Sequence, residues 1–340
     1  MHGKEDGHNP GVAAGKNGGK WTMLKLAEGL YRIGSPLGPR HVYQYLLLDE
    51  EGALLVDAGM GATPEQAILP AVRSIGLDPA KVRMLLLSHG DVDHFSGAET
   101  LRSHIPHLVV MAHRADVAGI ESTEWITRSR YFAYETLGVH HDGETRQWFL
   151  DHLRPARVDW QLAGGETIRM GAERFLDFLH IPGHSDGHLA VYDRKNRAAI
   201  IIDGILGRGL YDTEGRMISP PPYYDVEAYL ATIGKIRQLP FELLLTGHYD
   251  VMDKREGHSF LEDSRRFVDE LAQFLDQTLA DAGGKPLSLK ELLHAANEAV
   301  GPFTNMMVEL TGPVFSHLQL LERQGKAFRL YDGTIPHWFR

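Results

Sequence analysis

The sequence predicts an α/β fold built in layers, because strand-like apolar runs alternate with amphipathic helix-like segments over residues 41–113. Short strand-like runs return after a helical segment at about residues 114–160. Several of these apolar runs end in His or Asp side chains. Ligand sites in open α/β sheets lie beyond the carboxyl ends of the strands, so we expect functional side chains at one edge of the fold.

Length and composition are those of an ordinary soluble globular protein. The chain has 340 residues, of which 43% are apolar and 24% charged, and it can hold one large domain and a smaller one. It has no apolar run of the ~18 residues that a transmembrane helix needs. The formal charge of −10 disfavours nucleic acid and anionic membranes as partners. Cysteine is absent, which excludes disulfides and thiolate ligands and agrees with a cytoplasmic location.

The first part of the chain predicts alternating strands and helices. Residues 1–20 are rich in Gly, Lys and Asn, and we expect a flexible tail there. Residues 41–60 predict two strands joined by a Glu-Gly turn. Residues 63–77 predict a helix with a Thr cap and an early Pro. The pattern continues with a strand at 81–88, a helix at 98–105 and a strand at 107–113.

The middle of the chain adds an aromatic insert and a second set of strands. Residues 114–160 have a helical pattern with many Trp, Tyr and Phe side chains. These aromatic side chains either line a substrate pocket or pack the insert onto the body. Apolar runs then predict strands at 166–170, 174–181, 188–193 and 198–203, a helix at 225–239 and a strand at 241–248. The whole of residues 21–255 is expected to form one domain.

The tail from residue 256 to residue 340 predicts a small helical unit with a wing. Ser259 with Glu262 and Ser288 with Glu291 fit the capping-box pattern of helix starts. A third helix is expected to end at Gly325 and to precede a two-stranded wing. Positive and negative charges nearly cancel in this unit, which favours a packing or homodimerisation role, with nucleic-acid binding as the alternative.

The loop after the strand at 81–88 carries the first candidate metal ligands. The segment LLLSHGDVDHFSG places His89, Asp91, Asp93 and His94 within six positions. On a loop that leaves a buried strand, this spacing turns several side chains inward, and His and Asp both bind metals. Turn chemistry alone is the alternative, because Asp and His also cap helices and fill turns. Four such residues in one short loop favour a metal site.

Three later strands also run into a residue that can bind a metal. The segment FLDFLHIPGHSDGH contributes His184, AAIIIDG contributes Asp203, and FELLLTGHYD contributes His248. Each is weak evidence alone, since a single His after a strand is more often an ordinary surface residue. Together with the first loop they supply seven nitrogen and carboxylate ligands, enough for two metal ions.

Taken in order, the segments HGDVDH, PGHSDGH, IIDG and LTGH resemble the pattern of the metallo-β-lactamase-fold hydrolases. The strand that ends in LLVDAG resembles an early segment of the same family. The resemblance covers about residues 30–250, and the tail more loosely resembles the winged-helix appendage of some members. It implies a four-layer αββα sandwich with two metal ions at one edge between the sheets.

The resemblance also implies which residues bind each ion. The implied ligands are His89, Asp91 and His184 for metal 1, Asp93, His94 and His248 for metal 2, and Asp203 as a bridge between the two. Asp57 would support the ligands, whereas His180 and His188 match scaffold positions. We therefore expect two divalent ions, with zinc as the first choice.

Asp91 departs from the common family pattern, which has His at this position. A carboxylate here resembles instead the di-iron flavoproteins of the fold, which carry Glu. A carboxylate adds negative charge and favours iron or manganese more than an all-imidazole site does, although zinc also accepts Asp. The tail contains no phosphate loop of the flavodoxin kind, which weakens the flavoprotein interpretation.

The implied activity is hydrolysis of a small ester, lactone or amide by a hydroxide that the two ions share. Asp93 would orient this hydroxide as well as bind metal 2. Two alternatives remain open: a di-iron enzyme of oxygen or nitric-oxide chemistry, and a phosphodiesterase or nuclease. Other candidates for contact with substrate are His140 and His141 in the insert and Tyr211, Tyr223 and Tyr224 in the loop after Asp203.

Overall fold

The computed structural model describes residues 12–14, 21–303 and 307–340. The strands are β1 (Val12–Ala14), β2 (Thr22–Ala27), β3 (Leu30–Leu37), β4 (Arg40–Asp49), β5 (Gly52–Val56), β6 (Val82–Leu86), β7 (Val109–His113), β8 (Trp160–Leu162), β9 (Thr167–Met170), β10 (Arg174–His180), β11 (Leu189–Asp193), β12 (Ala198–Ile202), β13 (Leu210–Tyr211), β14 (Met217–Ser219), β15 (Leu243–Thr246), β16 (Met252–Asp253), β17 (Leu287–Ser288), β18 (Phe328–Asp332) and β19 (Ile335–Phe339).

The α-helices are α1 (Leu69–Ser74), α2 (Val92–Phe95), α3 (Ala98–His104), α4 (Val117–Glu121), α5 (Thr123–Ile126), α6 (Gly143–His152), α7 (Val226–Arg237), α8 (Lys254–Asp281), α9 (Leu289–Val300) and α10 (Thr311–Arg323). Short π-helical turns occupy Pro64–Ile68 and Thr127–Tyr131, and 3₁₀ turns occupy Pro79–Lys81, Glu135–Leu137 and Met307–Leu310. Among the residues that the structure describes, no helix is long and apolar enough to cross a membrane.

Two large sheets form the body of the protein. The first has eight strands in the order β1 to β8, antiparallel up to β5 and parallel from β5 to β8. The second has six strands in the order β16-β15-β12-β11-β10-β9. The neighbouring strands β12 and β15 are parallel, so both end at the same edge.

Three apolar cores show that helices cover the outer face of each sheet. Between the sheets, Tyr45, Leu54 and Leu86 of the first sheet share a core with Phe178 and Ile200 of the second. The outer face of the first sheet packs against α1, α3 and the insert, and the outer face of the second packs against α7 and the C-terminal helices. The predicted four-layer αββα sandwich is confirmed.

The predicted helix at 63–77 forms, but its start differs from the expectation. Thr63 has helical dihedrals, with φ of −57°, and its side chain makes no capping hydrogen bond. The predicted Thr cap is therefore wrong. The Pro64–Ile68 segment forms a π-helical turn that continues into α1. Within the first 20 residues only β1 is described, and it pairs with β2, so the expected tail contains a paired strand; the rest of that prediction lies outside the described residues.

The C-terminal unit has the predicted order of three helices and a wing. α8, α9 and α10 precede β18 and β19, which pair around Asp332 and Gly333, while β17 adds a third strand. The capping box of Ser288 and Glu291 is confirmed. The one predicted at Ser259 and Glu262 is wrong, because α8 already begins at Lys254 with Asp253 and Glu256 as its capping box. The proposed boundary at residue 256 therefore falls inside α8.

Candidate metal centre

The structure brings all seven predicted ligands to one edge between the two sheets. β6 leads into His89, Asp91 and the short helix α2, which carries Asp93 and His94. The turn after β10 carries His184, Asp203 follows β12, and His248 follows β15. Because these strands end at the same edge, side chains that are up to 159 positions apart in the chain meet there.

Two clusters of ligand atoms are present, and a third group shares one residue with each of them. In the first, Asp91 Oδ2 lies 3.3 Å from His89 Nε2 and 3.0 Å from His184 Nε2. In the second, His248 Nε2 lies 3.6 Å from Asp93 Oδ2, and His94 Nε2 lies 3.8 Å from the same oxygen. The ligand atoms of each cluster lie within 4.8 Å of one another, a spacing that a metal ion can span.

Asp203 lies between the two clusters, as a bridging residue would. Its Oδ2 is 3.1 Å from His248 Nε2 and 3.4 Å from His94 Nε2, and a ligand atom of Asp203 also groups with His89. Burial opposes ionisation of this carboxyl, but its interactions with the imidazoles of His248 and His94 outweigh the burial and hold the pKa of Asp203 well below its usual range. Gly247 leaves room for Asp203, since a Cβ at this position would lie 2.2 Å from Asp203 Oδ1.

Each of the four imidazoles is tethered through its Nδ1 atom. The tethers are His89 Nδ1 to Ser88 Oγ (2.8 Å), His94 Nδ1 to Asp57 Oδ2 (2.9 Å), His184 Nδ1 to the Pro222 carbonyl (2.6 Å) and His248 Nδ1 to the His41 carbonyl (2.9 Å). Three of these partners only accept hydrogen bonds, and Ser88 Oγ donates its own hydrogen to Asp57. Each Nδ1 therefore carries the proton, and each Nε2 directs a lone pair into the centre.

The centre fits a cation because three of its ligand atoms are buried acceptors to which no described residue donates a hydrogen. Within the described residues, His89 Nε2, His94 Nε2 and Asp203 Oδ1 are buried and have no hydrogen-bond partner. Unpaired buried acceptors are costly in a folded protein. A divalent ion would satisfy these atoms, and imidazole with carboxylate is a donor set that zinc, iron and manganese all accept.

Asp57 accepts three hydrogen bonds from the loop that carries the proposed ligands. Its Oδ1 accepts from the Ser88 backbone N–H at 2.7 Å, and its Oδ2 accepts from Ser88 Oγ and His94 Nδ1. The residue is fully buried and has a φ of +65°, a left-handed conformation that Asp tolerates better than most residues. The structure thus places Asp57 in contact with a predicted ligand, as the resemblance implies.

Two residues of the insert contact Asp91: Tyr131 belongs to the aromatic set noted in the insert, whereas Arg130 was not singled out from the sequence. Arg130 Nη2 lies 2.6 Å from Asp91 Oδ2, and Arg130 Nε contacts Asp91 Oδ1. Tyr131 donates from its hydroxyl to Asp91 Oδ1 at 3.3 Å and accepts from the Val92 backbone N–H. Both lie on the π-helical turn Thr127–Tyr131, a geometry that is frequent at functional sites.

The charge of Arg130 changes the electrostatics of Asp91. Burial opposes ionisation of this carboxyl, but Arg130, with His184 and His89, holds the pKa of Asp91 well below its usual range. Asp91 is therefore a carboxylate whose negative charge a neighbouring cation offsets. An unusual extra carboxylate in a metal motif was itself a signal that a cation should lie nearby, but the sequence did not indicate which of the insert's arginines it would be.

A cavity of about 660 Å³ opens onto the metal centre. Its lining includes Leu37 and Arg40 from the β3–β4 turn, Met60, Tyr131, Trp148, Phe149 and His152 from the insert, Tyr224, and Glu309 from the C-terminal unit. The aromatic residues of the insert thus both line this cavity and pack the insert's helices, since Tyr131 stacks on Phe149 with ring centroids 4.0 Å apart.

Some predicted contacts with the cavity are not found. His140 is exposed and His141 packs against Phe132 and Phe149; neither lines the cavity. Of the three Tyr candidates only Tyr224 lines it, because Tyr211 is exposed and Tyr223 is buried against His317. Arg40 and Glu309 were missed, since their positions depend on the tertiary fold rather than on a local pattern.

The other two His residues of the PGHSDGH turn lie close by. His188 is fully buried and stacks on His89 with ring centroids 4.7 Å apart. Burial and the neighbouring His89 and His184 hold the pKa of His188 well below its usual range, so its ring is neutral. His180 stacks instead on His113 and contacts the Asp186 carbonyl through Nε2. Neither belongs to the two ligand clusters.

The C-terminal unit supports the loop that positions His184. Tyr223 contacts His317 Nε2 through its hydroxyl at 2.9 Å, and Ser316 Oγ accepts from the Val226 backbone N–H at 2.7 Å. Gly312 lies so close to this loop that a Cβ would be 2.8 Å from the Tyr223 carbonyl. Because Pro222 in the same loop accepts from His184 Nδ1, α10 contacts the loop that holds the imidazole of His184.

Comparisons with known proteins agree with this geometry. Residues 37–248 match the family model described as the metallo-beta-lactamase superfamily. The chain is 27% identical over 223 residues to an acyl-coenzyme A thioesterase, MBLAC2, of Gallus gallus, covering 61% of this chain and 72% of the relative. It is 25% identical over 208 residues to the hydroxyacylglutathione hydrolase GloC of Haemophilus influenzae, covering 59% and 81% respectively.

Solved structures extend the likeness in fold to the C-terminal unit. A metallo-beta-lactamase family protein of Thermus thermophilus has a TM-score of 0.73 at 19% identity, covering 93% of this chain and all of that one. A beta-lactamase domain protein of Burkholderia ambifaria has a TM-score of 0.70 at 19% identity, with 94% of each chain covered. Since the family match ends at residue 248, these coverages include most of the helices and strands that follow it.

Proposed function

The chain belongs to the metallo-β-lactamase superfamily, and we propose that it uses two divalent metal ions, with zinc as the first choice, to hydrolyse a small thioester or related acyl compound. That it is a metal-dependent hydrolase follows from the family and its named hydrolase relatives. The number of ions, their identity and the substrate are the proposed parts.

The convergence of four tethered imidazoles and three carboxylates in one buried centre is the observation that carries the proposal. The proposed ligands are His89, Asp91 and His184 for metal 1, Asp93, His94 and His248 for metal 2, and Asp203 for both. Bound divalent ions would lower the pKa of a coordinated water and polarise the carbonyl oxygen of a substrate. No protein nucleophile is then needed.

The residues of this chain would orient the substrate and handle the proton. Asp93 is ionised, because His94, His248 and Arg40 outweigh the burial that would raise the pKa of its carboxyl. Its Oδ2 can therefore accept a hydrogen bond from the attacking water and take up its proton. Tyr224, beside Arg130 in the cavity wall, can donate to an oxygen on which negative charge develops.

The cavity wall supports an acyl substrate with an apolar part. Leu37, Met60, Trp148 and Phe149 provide apolar surface beside the ligands, while Arg40 provides a positive charge for an anionic group. One named relative is described as an acyl-coenzyme A thioesterase and the other as a hydroxyacylglutathione hydrolase, so thioesters are tested first, with an ester, a lactone and an amide next. The ion pair of Arg130 with Asp91 offsets the extra negative charge that favoured iron or manganese, which supports zinc.

The test is a substrate panel on protein of known metal content. The protein is stripped with a chelator, reloaded with zinc, iron(II) or manganese, and assayed on acetyl-coenzyme A, an acylglutathione, a lactone and a phosphodiester. We expect turnover only after reloading, highest with zinc and a thioester. Fully loaded protein that cleaves none of the acyl compounds would refute the proposal, and preferential cleavage of the phosphodiester would favour the nuclease alternative.

A further inference from the structure

Arg130 occupies the space between two of the proposed ligand atoms of metal 1. Its Nη2 lies 2.6 Å from Asp91 Oδ2 and 3.1 Å from His184 Nε2. Asp91 Oδ2 is the same oxygen that lies 3.3 Å from His89 Nε2. The guanidinium therefore donates to two of the three atoms that would hold this ion.

An ion and this guanidinium cannot use the same lone pair of His184. Nδ1 of His184 carries the proton, because it donates to the Pro222 carbonyl, so Nε2 has one lone pair in the ring plane. In the structure Nε2 accepts an N–H from Arg130. A metal bound at Nε2 would have to displace that hydrogen bond, and it would also meet the positive charge of the guanidinium.

Within the described part of the chain, the second cluster contains a ligand nitrogen to which no hydrogen is donated. Among the described residues His94 Nε2 has no hydrogen-bond partner. The nearby cation, Arg40, lies 3.5 Å from Asp93 Oδ2, which is longer than the contact of Arg130 with Asp91. An ion that binds His94 Nε2 therefore breaks no hydrogen bond with the described residues there, whereas an ion that binds His184 Nε2 must break its hydrogen bond with Arg130.

Arg130 also has space into which it can withdraw. Besides the main cavity, it lines a smaller one of about 110 Å³, together with Asp116, Asp186 and Tyr224. The Tyr224 ring, 4.5 Å from the guanidinium carbon, lines both cavities. If the Arg130 guanidinium turned towards the smaller cavity, it would still lie against the Tyr224 ring, and the carboxylates of Asp116 and Asp186 would be near it.

We infer that Arg130 is a built-in competitor for metal 1, so that the second site fills first and the first site fills only when the guanidinium leaves His184. This inference rests on the proposed two-metal function and adds an order of loading to it. The role of Arg130 is that of a positioning residue: it acts on the occupancy of the site through Asp91 and His184.

The test measures zinc binding and needs no substrate. Stripped wild-type protein, Arg130→Met and the control Arg128→Met are titrated with zinc by calorimetry and by competition with a chromophoric chelator. Arg128 is an exposed residue on the same π-helical turn, so its substitution removes the same charge from the same segment. Arg130→Lys, which keeps a charge but loses the planar fork, is a second variant in case Arg130→Met does not fold.

We expect the wild type and Arg128→Met to bind one equivalent tightly and a second at least tenfold more weakly. Arg130→Met should tighten the second equivalent on the order of tenfold, the size of effect that groups around a metal site typically have, and should leave the first unchanged; Arg130→Lys should tighten it less. Two equally tight equivalents in the wild type, or no tightening in either Arg130 variant, would overturn the inference alone. A wild type that binds no zinc would overturn the proposed function with it.

Discussion

Asp91 and Arg130 form a two-pronged ion pair, with Arg130 Nη2 2.6 Å from Asp91 Oδ2 and Arg130 Nε against Asp91 Oδ1. Both side chains are mostly buried, with 16% and 11% of their surfaces exposed. Removing both partners of a buried ion pair destabilises a protein less than removing one, because the charge that remains is then buried without a partner. The unusual carboxylate and the arginine are therefore best understood as one unit.

Asp91→His restores the common family residue but leaves Arg130 without its carboxylate. We expect this variant to raise the zinc-to-iron ratio of the purified protein and to lower the free energy of unfolding by about 3 kcal/mol. The double variant Asp91→His/Arg130→Met should keep the zinc preference and recover most of the stability. Denaturant unfolding and elemental analysis of identically expressed proteins check this; additive losses in the double variant would show that the two residues do not act together.

Asp203→Ala removes the carboxylate that lies between the two ligand clusters. We expect lower metal content and a fall in hydrolysis of ~100-fold or more, because small misplacements of reacting groups cost this much. Stability should change by only about 1 kcal/mol, since Asp203 follows a strand end rather than filling the core. Asp332→Ala, at an exposed position at the end of β18, is the control. Full turnover with two ions in Asp203→Ala would disprove its bridging role.

Glu309→Gln removes a negative charge that the C-terminal unit places in the cavity wall. Burial and the negative charge of Asp91 raise the pKa of Glu309 to about 7, so the residue is partly ionised at neutral pH. For an anionic thioester such as acetyl-coenzyme A we expect KM to fall by about fivefold, the effect of ~1 kcal/mol of repulsion, with metal content unchanged. Steady-state kinetics check this against Glu298→Gln, an exposed position on α9. A raised KM would mean that Glu309 attracts the substrate.

The buried position of His317 predicts that the protein loses stability in acid. Burial lowers the pKa of His317 to about 4, whereas an unfolded His titrates near ~6.5. The unfolded chain therefore binds this proton first, so the contribution of His317 is complete above about pH 6.5 and decreases as the pH falls towards 4. The decrease should amount to about 3 kcal/mol.

The measurement is the free energy of unfolding between about pH 4 and pH 7 for the wild type and His317→Gln, an interval that spans the folded and unfolded pKa values. The variant should lose less stability over this interval, because Gln does not titrate. Parallel curves for the two proteins would show that His317 is as easily protonated in the folded protein as in the unfolded one.

The convergence of the proposed ligands could be predicted because each follows an apolar run that is visible in the sequence. His184, Asp203 and His248 stand where a buried strand ends, and strand ends meet at one edge of a layered fold. Arg130 and Glu309 have no such signal. Arg130 reaches the centre through a π-helical turn in the insert, and Glu309 reaches it from a 3₁₀ turn that precedes α10.

The capping-box pattern also led to a wrong prediction where it occurs twice in close succession. Asp253 with Glu256 and Ser259 with Glu262 fit the same capping pattern six positions apart, and only the first pair lies where the chain leaves a strand. Once α8 has begun at Lys254, Ser259 is inside it.

The cytoplasmic location, the homodimer and the absence of nucleic-acid binding remain predictions.

The shared core of the second sheet and the C-terminal helices has a consequence for folding during synthesis. The eight strands of the first sheet are consecutive in the chain and end at residue 162. By contrast, Ile201 and Tyr229 belong to the same core as Leu318 and Trp338. The outer face of the second sheet, which α7 covers in part, is therefore fully covered only after α10 and β19 have left the ribosome. During that interval exposed apolar surface favours aggregation, and we expect the nascent chain to depend on chaperones until α10 docks.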